Sequence, residues 1–168
     1  MNITLIGMAG AGKSFIGQEL AKILNYGFID MDELIERKFN LKLQEMVDHF
    51  GEQRFLRIEE QAVLDLGYFD RCVISPGGSI IYSVKAMEYL KKNSMVIFLD
   101  VSFKSITQRI HNESTRGIIG LKNRKLKELY QERRPLYQKY AEITIIQPDD
   151  MDQDAVINKI LQKVSHCP

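Results

Sequence analysis

The chain has 168 residues, 45% apolar and 27% charged, with 23 lysines and arginines against 22 aspartates and glutamates. That length suits one domain able to bury roughly two thirds of its unfolded surface, with an ordinary globular composition. The net charge of +1 argues against nucleic acid as the main partner, and no apolar run approaches the ~20 residues of a membrane span.

From the amino end, residues 2–6 ("NITLI") read as a short buried strand, and 14–24 as a helix whose apolar stripe is Phe15, Ile16, Leu20, Ile23 and Leu24. A second strand is predicted over 26–32, ending in carboxylates, then helices over 33–39, 43–50 and 53–67, the last two separated at Gly51. "CVIS" (72–75) is a strand stopped by Pro76-Gly77-Gly78, and 83–93 a helix. "MVIFLDV" (95–101) has the continuous apolar character of a central parallel strand. A helix over 102–111 has Ser102 as its N-cap. Residues 112–123 carry two glycines and no period and are predicted to be a mobile loop. A helix over 124–141 is expected to bend or break at Pro135. A strand over 142–147 and an amphipathic helix over 152–164 close the chain. Five alternations of strand and helix predict an α/β three-layer sandwich, a parallel sheet covered by helices on both faces.

No secretory signal is expected, since no basic segment leads into an apolar stretch and a small-residue cleavage site. Cys72 and Cys167 are far apart and lack metal-ligand spacing. A reducing, cytoplasmic setting without a disulfide is expected, with Cys72 buried and Cys167 in a frayed tail. His49, His111 and His166 show no ligand spacing, so no histidine metal site is expected.

The chemistry begins at "GMAGAGKS", residues 7–14, lying between the first strand and the first helix. Gly7-x-x-x-x-Gly12-Lys13-Ser14 has the spacing of a phosphate loop in the context that loop requires. The glycines let backbone N–H groups curl around anionic oxygens without a Cβ in the way, and the helix points its N-terminus at them. Lys13 would reach the β- and γ-phosphates of ATP, and Ser14 would offer its hydroxyl to Mg²⁺.

"FIDMD" places Asp30 and Asp32 two residues apart at the end of the second strand. In an extended chain both would point to one face, at the carboxyl edge where open α/β sheets bind ligands. One carboxylate would hold a Mg²⁺-bound water and the other would accept a hydrogen bond from an attacking hydroxyl; a helix cap at Asp32 is the plainer alternative.

With these stretches, "FGEQRFLRIEE" (50–60), "SPGGS" (75–79), "STRGI" (114–118) and "RRPLY" (133–137) make the whole chain resemble the shikimate kinase family. The resemblance implies a single phosphate-loop NTPase/kinase domain with a five-stranded parallel sheet, a substrate-binding segment at about 33–62 and a lid at about 111–124. It implies transfer of the ATP γ-phosphoryl to the 3-hydroxyl of shikimate, with Mg²⁺, in a cytoplasmic monomer of aromatic amino-acid biosynthesis. By the same resemblance Lys13, Asp32 and Arg116 are catalytic. Gly10, Ala11, Gly12, Lys13, Ser14, Phe15, Arg109 and Arg116 face ATP. Ser14 and Asp30 serve the metal. Asp32, Leu56, Gly77, Gly78 and Arg133 meet the acceptor, with Arg133 on its carboxylate and Arg116 arriving on the lid.

The chain departs from the family pattern at four places, one of them the loop near the adenine around Pro148-Asp149-Asp150, which carries acidic residues rather than an arginine. Leu56 stands where the family has a carboxylate-gripping arginine, and Arg57, one residue later, is turned away by roughly 100°. Ser79 replaces a third glycine, and Gly117 replaces a proline after the lid arginine. Arg54 and Arg57 are expected to be solvated helix charges or partners of Glu59 and Glu60, and one of Arg133 and Arg134 is expected to be a surface charge. Three functions therefore stand: a kinase of shikimate, a related kinase of another hydroxylated metabolite such as a gluconate-like sugar, nucleoside or nucleotide, and a non-catalytic nucleotide-binding regulatory module.

Overall fold

The strand β1 (Ile3–Ile6) is buried at every residue, as its unbroken apolar run requires. The reason is its place at the middle of a five-stranded, all-parallel sheet of order β2-β3-β1-β4-β5. The computed structural model describes residues 1–111, 117–149 and 151–165. β1 pairs with β3 (Cys72–Ser75) on one side and β4 (Met95–Val101) on the other. β2 (Gly27–Asp30) and β5 (Ile143–Gln147) form the two edges. The strand following β1 in sequence lies on one side of it and β4 on the other, so a crevice opens at the carboxyl ends beside β1.

Helices α1 (Lys13–Leu24) and α8 (Gln153–Val164) pack on each other, with α1 against β2 and β3 and α8 against β5. Helices α5 (Val84–Asn93) and α7 (Leu126–Tyr140) pack on β4. α2 (Met31–Phe39), α3 (Leu43–Phe50) and α4 (Glu52–Leu64) follow β2, and α6 (Phe103–His111) follows β4. Between the layers, Ile3, Leu5, Leu20, Val73, Ile74, Val96, Ile97 and Leu90 are fully buried. Each such side chain contributes about 1.5–3 kcal/mol relative to exposure. No helix among the described residues is long and apolar enough to cross a membrane.

Three elements differ from expectation. β2 ends at Asp30, and Asp32 is helical. Asp30 is itself the N-cap of α2, its Oδ1 accepting from the N–H of Asp32 at 3.0 Å and of Glu33 at 3.3 Å. Strand alternation therefore does not orient Asp30 and Asp32, and the helix cap, the alternative for Asp32, is Asp30. Secondly, α7 runs unbroken through Pro135. A proline removes one helical hydrogen bond, and α7 is held on both sides of it. Tyr130 Oη donates to the Val101 carbonyl at 2.9 Å, Arg134 grips Asp100, and Tyr137 Oη donates to the Gly78 carbonyl at 2.6 Å. Thirdly, residues Gly78–Tyr82 form a 3₁₀ turn to which the sequence pattern assigned no element. Ser102 caps α6 as expected, its Oγ accepting from the Ser105 N–H at 3.1 Å. Cys72 is a buried free thiol, whose ionisation burial pushes up; Cys167 and His166 lie outside the described residues.

Candidate active site

The phosphate loop takes its shape from two left-handed residues, Gly10 at φ +79° and Gly12 at φ +87°, a conformation that disfavours a Cβ. α1 starts immediately afterwards with no side chain capping it and no acidic residue in its first turn. Its leading N–H groups are thus left for an external anion, which the helix dipole also favours. Lys13 is half-buried, and its Nζ donates to the carbonyls of Gly7 at 2.9 Å and Met8 at 3.0 Å. Burial pulls its pKa down, opposed by the charges of Asp32 and Asp30. Ala11 is fully buried under the loop. Phe15, 47% exposed, and Arg109, whose Nη1 donates to the Gly10 carbonyl at 3.1 Å, border the cleft beside it.

The cleft holds about 360 Å³ and is lined by Gly10, Gly12, Lys13, Ser14 and Phe15 on the loop side. Asp32, Phe55, Glu59, Gly77, Gly78, Ser79 and Arg133 line the other. Ser14 Oγ donates to Asp30 Oδ2 at 2.5 Å, so a hydroxyl and a carboxylate meet at the start of α1. Two hard oxygen donors there suit an octahedral cation such as Mg²⁺, which keeps several waters and leans on phosphate oxygens rather than a protein cage. Among the described residues no group of three or more histidine, cysteine or acidic side chains is placed to hold a metal ion.

Arg133 is 1% exposed. Its Nη2 donates to the Ile119 carbonyl at 2.7 Å, its Nε to Tyr82 Oη at 3.3 Å, and its guanidinium lies 5.2 Å from the Tyr82 ring centre. Among the described residues no carboxylate forms an ion pair with it. Its neighbour Arg134 points elsewhere, to Asp100 at 2.9 and 2.7 Å, and is the structural one of the two.

Leu56 does not line this cleft. It lies beyond Ser79, on a separate cavity of about 100 Å³ shared with Arg57, Glu60 and Tyr82. The residues of α4 that do face the cleft are Phe55 and Glu59, one helical turn apart. Of the two alternatives for Arg54 and Arg57, the structure shows exposed helix residues, and Glu59 and Glu60 have serine partners instead. They accept from Ser79 Oγ at 2.5 Å and Ser83 Oγ at 2.6 Å, while Arg54 sits over the Phe50 ring at 4.7 Å. Arg116 lies outside the described residues, as does most of the polar stretch before it. Sequence reasoning missed Glu59, Ser75 and Gln153 on the cleft wall; the i,i+4 spacing of Phe55 and Glu59 was the available signal for the first.

Glu59 is 4% exposed, and burial pushes its pKa up to about 8. The Ser79 hydrogen bond and the Arg133 and Lys13 charges oppose that rise, and Asp32 adds to it. The folded state thus prefers the protonated acid. The associated stability is complete below about 4.5, the ordinary value, and is lost as pH rises to about 8, at up to ~1.4 kcal/mol per pH unit. Glu59→Gln should therefore gain stability relative to the parent chain between pH 5 and pH 8 in paired thermal melts. An offset that stays constant with pH would refute this.

Gly77 touches both acids. A Cβ there would lie 2.4 Å from Glu59 Oε1 and 2.9 Å from Asp32 Oδ1. Gly77→Ala should displace both carboxylates and lower kcat/KM by at least ~100-fold, since small misplacements at a reacting centre cost about that much. Steady-state kinetics within threefold of the parent would show that the contact is dispensable.

Loop and lysine converge where a polyphosphate tail can bind, and the facing wall offers a second, smaller molecule one buried cation. That division of one cleft defines a phosphate-loop phosphotransferase with a small-molecule acceptor. Comparison with known proteins narrows it. The family model described as shikimate kinase matches residues 9–165. A shikimate kinase of Sulfurihydrogenibium sp. (strain YO3AOP1) is 33% identical over 163 residues, covering 97% of each chain. One of Rippkaea orientalis is 37% identical over 166 residues, covering 98% of this chain and 88% of its own. The solved shikimate kinase from Acinetobacter baumannii in complex with shikimate superposes with a TM-score of 0.89 at 31% identity, covering 98% of this chain and 92% of that one. A deoxyadenosine kinase from M. mycoides, at 17% identity and a TM-score of 0.60, shares the fold. The chain belongs to the shikimate kinase family.

Proposed function

We propose that the chain transfers the γ-phosphoryl group of MgATP to the 3-hydroxyl of shikimate, giving ADP and shikimate 3-phosphate. The observation that carries the acceptor assignment is Arg133, a buried guanidinium on the cleft wall with no carboxylate in ion-pair range among the described residues. A buried charge is costly until it is paired, and a guanidinium matches a carboxylate at two points. The acceptor supplies that carboxylate.

In this reading Lys13 and the N–H groups of the loop hold the β- and γ-phosphates. Ser14 and Asp30 hold Mg²⁺, which when bound neutralises charge on the phosphate oxygens. Arg109 and Phe15 flank the nucleotide beside the loop. Asp32 accepts the proton of the attacking hydroxyl as its oxygen bonds to the γ-phosphorus and the bond to the β–γ bridging oxygen breaks. Gly77 and Gly78 leave the acceptor room to approach the backbone, and Arg133 fixes its far end. Arg116, outside the described residues, keeps the role its family position implies, stabilising charge on the group in flight.

The test is ATP-dependent turnover of shikimate by the purified chain, followed by ADP release and by phosphorus NMR of the product. Equimolar ADP and shikimate 3-phosphate are expected, with the methyl ester of shikimate a far poorer acceptor. Phosphorylation of another alcohol but not of shikimate would reject the assignment.

A further inference from the structure

Two buried groups of opposite sign share the acceptor side of the cleft without forming an ion pair. Arg133 lies on α7 and Glu59 on α4. Glu59 Oε2 accepts from Ser79 Oγ at 2.5 Å, and its Oε1 faces Gly77. The strongest charges acting on Glu59 are Asp32 from α2, Arg133 from α7 and Lys13 from the start of α1. Tyr137, a residue of α7 whose ionisation burial pushes up, stays neutral beside them.

We propose that Glu59 is a positioning residue that sets the charge of the acceptor-carboxylate site. With a proton on Glu59, Arg133 presents an unopposed positive charge to the acceptor, and when that proton leaves, the new carboxylate cancels the field and repels the acceptor. This rests on the shikimate reading above. Its geometric basis is that Glu59, Ser79 and Arg133 line the same cleft, with neither charged group ion-paired to any described residue. The value of about 8 to which burial pushes Glu59 places the change just above neutrality. Ser79 tunes it. Its hydroxyl donates to Glu59 and so favours the ionised form.

The experiment is the pH dependence of the shikimate KM from pH 6.5 to 9.5, with kcat measured at saturating acceptor. In the parent chain KM should rise about tenfold or more, with a midpoint near 8, while kcat changes much less. Glu59→Gln should hold KM flat at the parent's low-pH value. Ser79→Ala should move the rise to higher pH, because it removes the bond that favours ionisation; this variant decides the matter if the glutamine variant fails to fold. Shikimate turnover with a flat parent KM, or an unchanged rise in Glu59→Gln, overturns the inference alone. No shikimate turnover at any pH overturns the acceptor reading and this inference with it.

Discussion

Replacing Lys13 with alanine is expected to lower kcat about a thousandfold and to weaken ATP binding, while leaving the chain folded. The side chain is half-buried, and its ammonium is held by the Gly7 and Met8 carbonyls at 2.9 and 3.0 Å. Its charge is therefore aimed into the loop before any phosphate arrives. One such donor in a water-poor site is worth ~10² to 10³ in rate, and a full charge sits at the upper end. Stability should change little, because burial already disfavours the charged ammonium and alanine removes that cost. Lys13→Arg should not rescue. The branched guanidinium cannot occupy a place where one nitrogen meets two carbonyls, and it presents a different donor geometry. Single-turnover measurements at saturating ATP give the number, and a residual rate above one tenth of the parent's would mean that the lysine is not placed on the reacting phosphate.

The second large effect is at Arg133. Arg133→Met keeps much of the volume and removes the charge. Loss of one partner of a buried charge pair typically costs ~2–5 kcal/mol of binding, so shikimate affinity should fall by ~30-fold to several thousandfold. Arg133→Lys should recover only part of this, since an ammonium cannot grip a carboxylate at two points. The same substitution to methionine should leave the melting temperature unchanged or raised, because a buried charge without an ionic partner adds little to stability. Calorimetric titration with shikimate, alongside a thermal melt, separates the two effects. Unaltered affinity would mean that the carboxylate of the acceptor lies elsewhere.

How much of this was legible beforehand depended on whether a residue's local surroundings decide its place. β3 and β4 begin and end where the apolar runs "CVIS" and "MVIFLDV" do, because a central parallel strand is buried on both faces and turn residues bound it. The phosphate loop was legible for the same reason, since glycine spacing, strand and helix coincide. Asp30 was not. Its side chain can end a strand or cap a helix, and only the fold shows that it caps α2 while also accepting from Ser14. The faces of α4 were half legible. Spacing ties Phe55 to Glu59, but seven of its residues are charged or amide-bearing, and which face turns inward is decided by the distant Gly77 and Ser79. Leu56 was set at the acceptor wall by resemblance, and it lies roughly 100° around the helix from Phe55, on a separate cavity. Arg133 was placed by resemblance. Its burial and its want of an ionic partner among the described residues come from contacts with Tyr82 and Ile119, far away in the chain.

The pair Arg133 and Arg134 has a kinetic consequence. Arg134 is pinned to the end of β4 through both oxygens of Asp100, and the helical turn between adjacent residues swings Arg133 to another side of α7. With the backbone anchored there and the Arg133 head held by Tyr82 and Ile119, this side chain has already surrendered much of the ~2 kcal/mol of rotamer freedom that an arginine carries. The acceptor meets a preorganised grip, so its capture is closer to rigid docking than to mutual fitting, and little ordering of this side chain remains to be charged against its affinity.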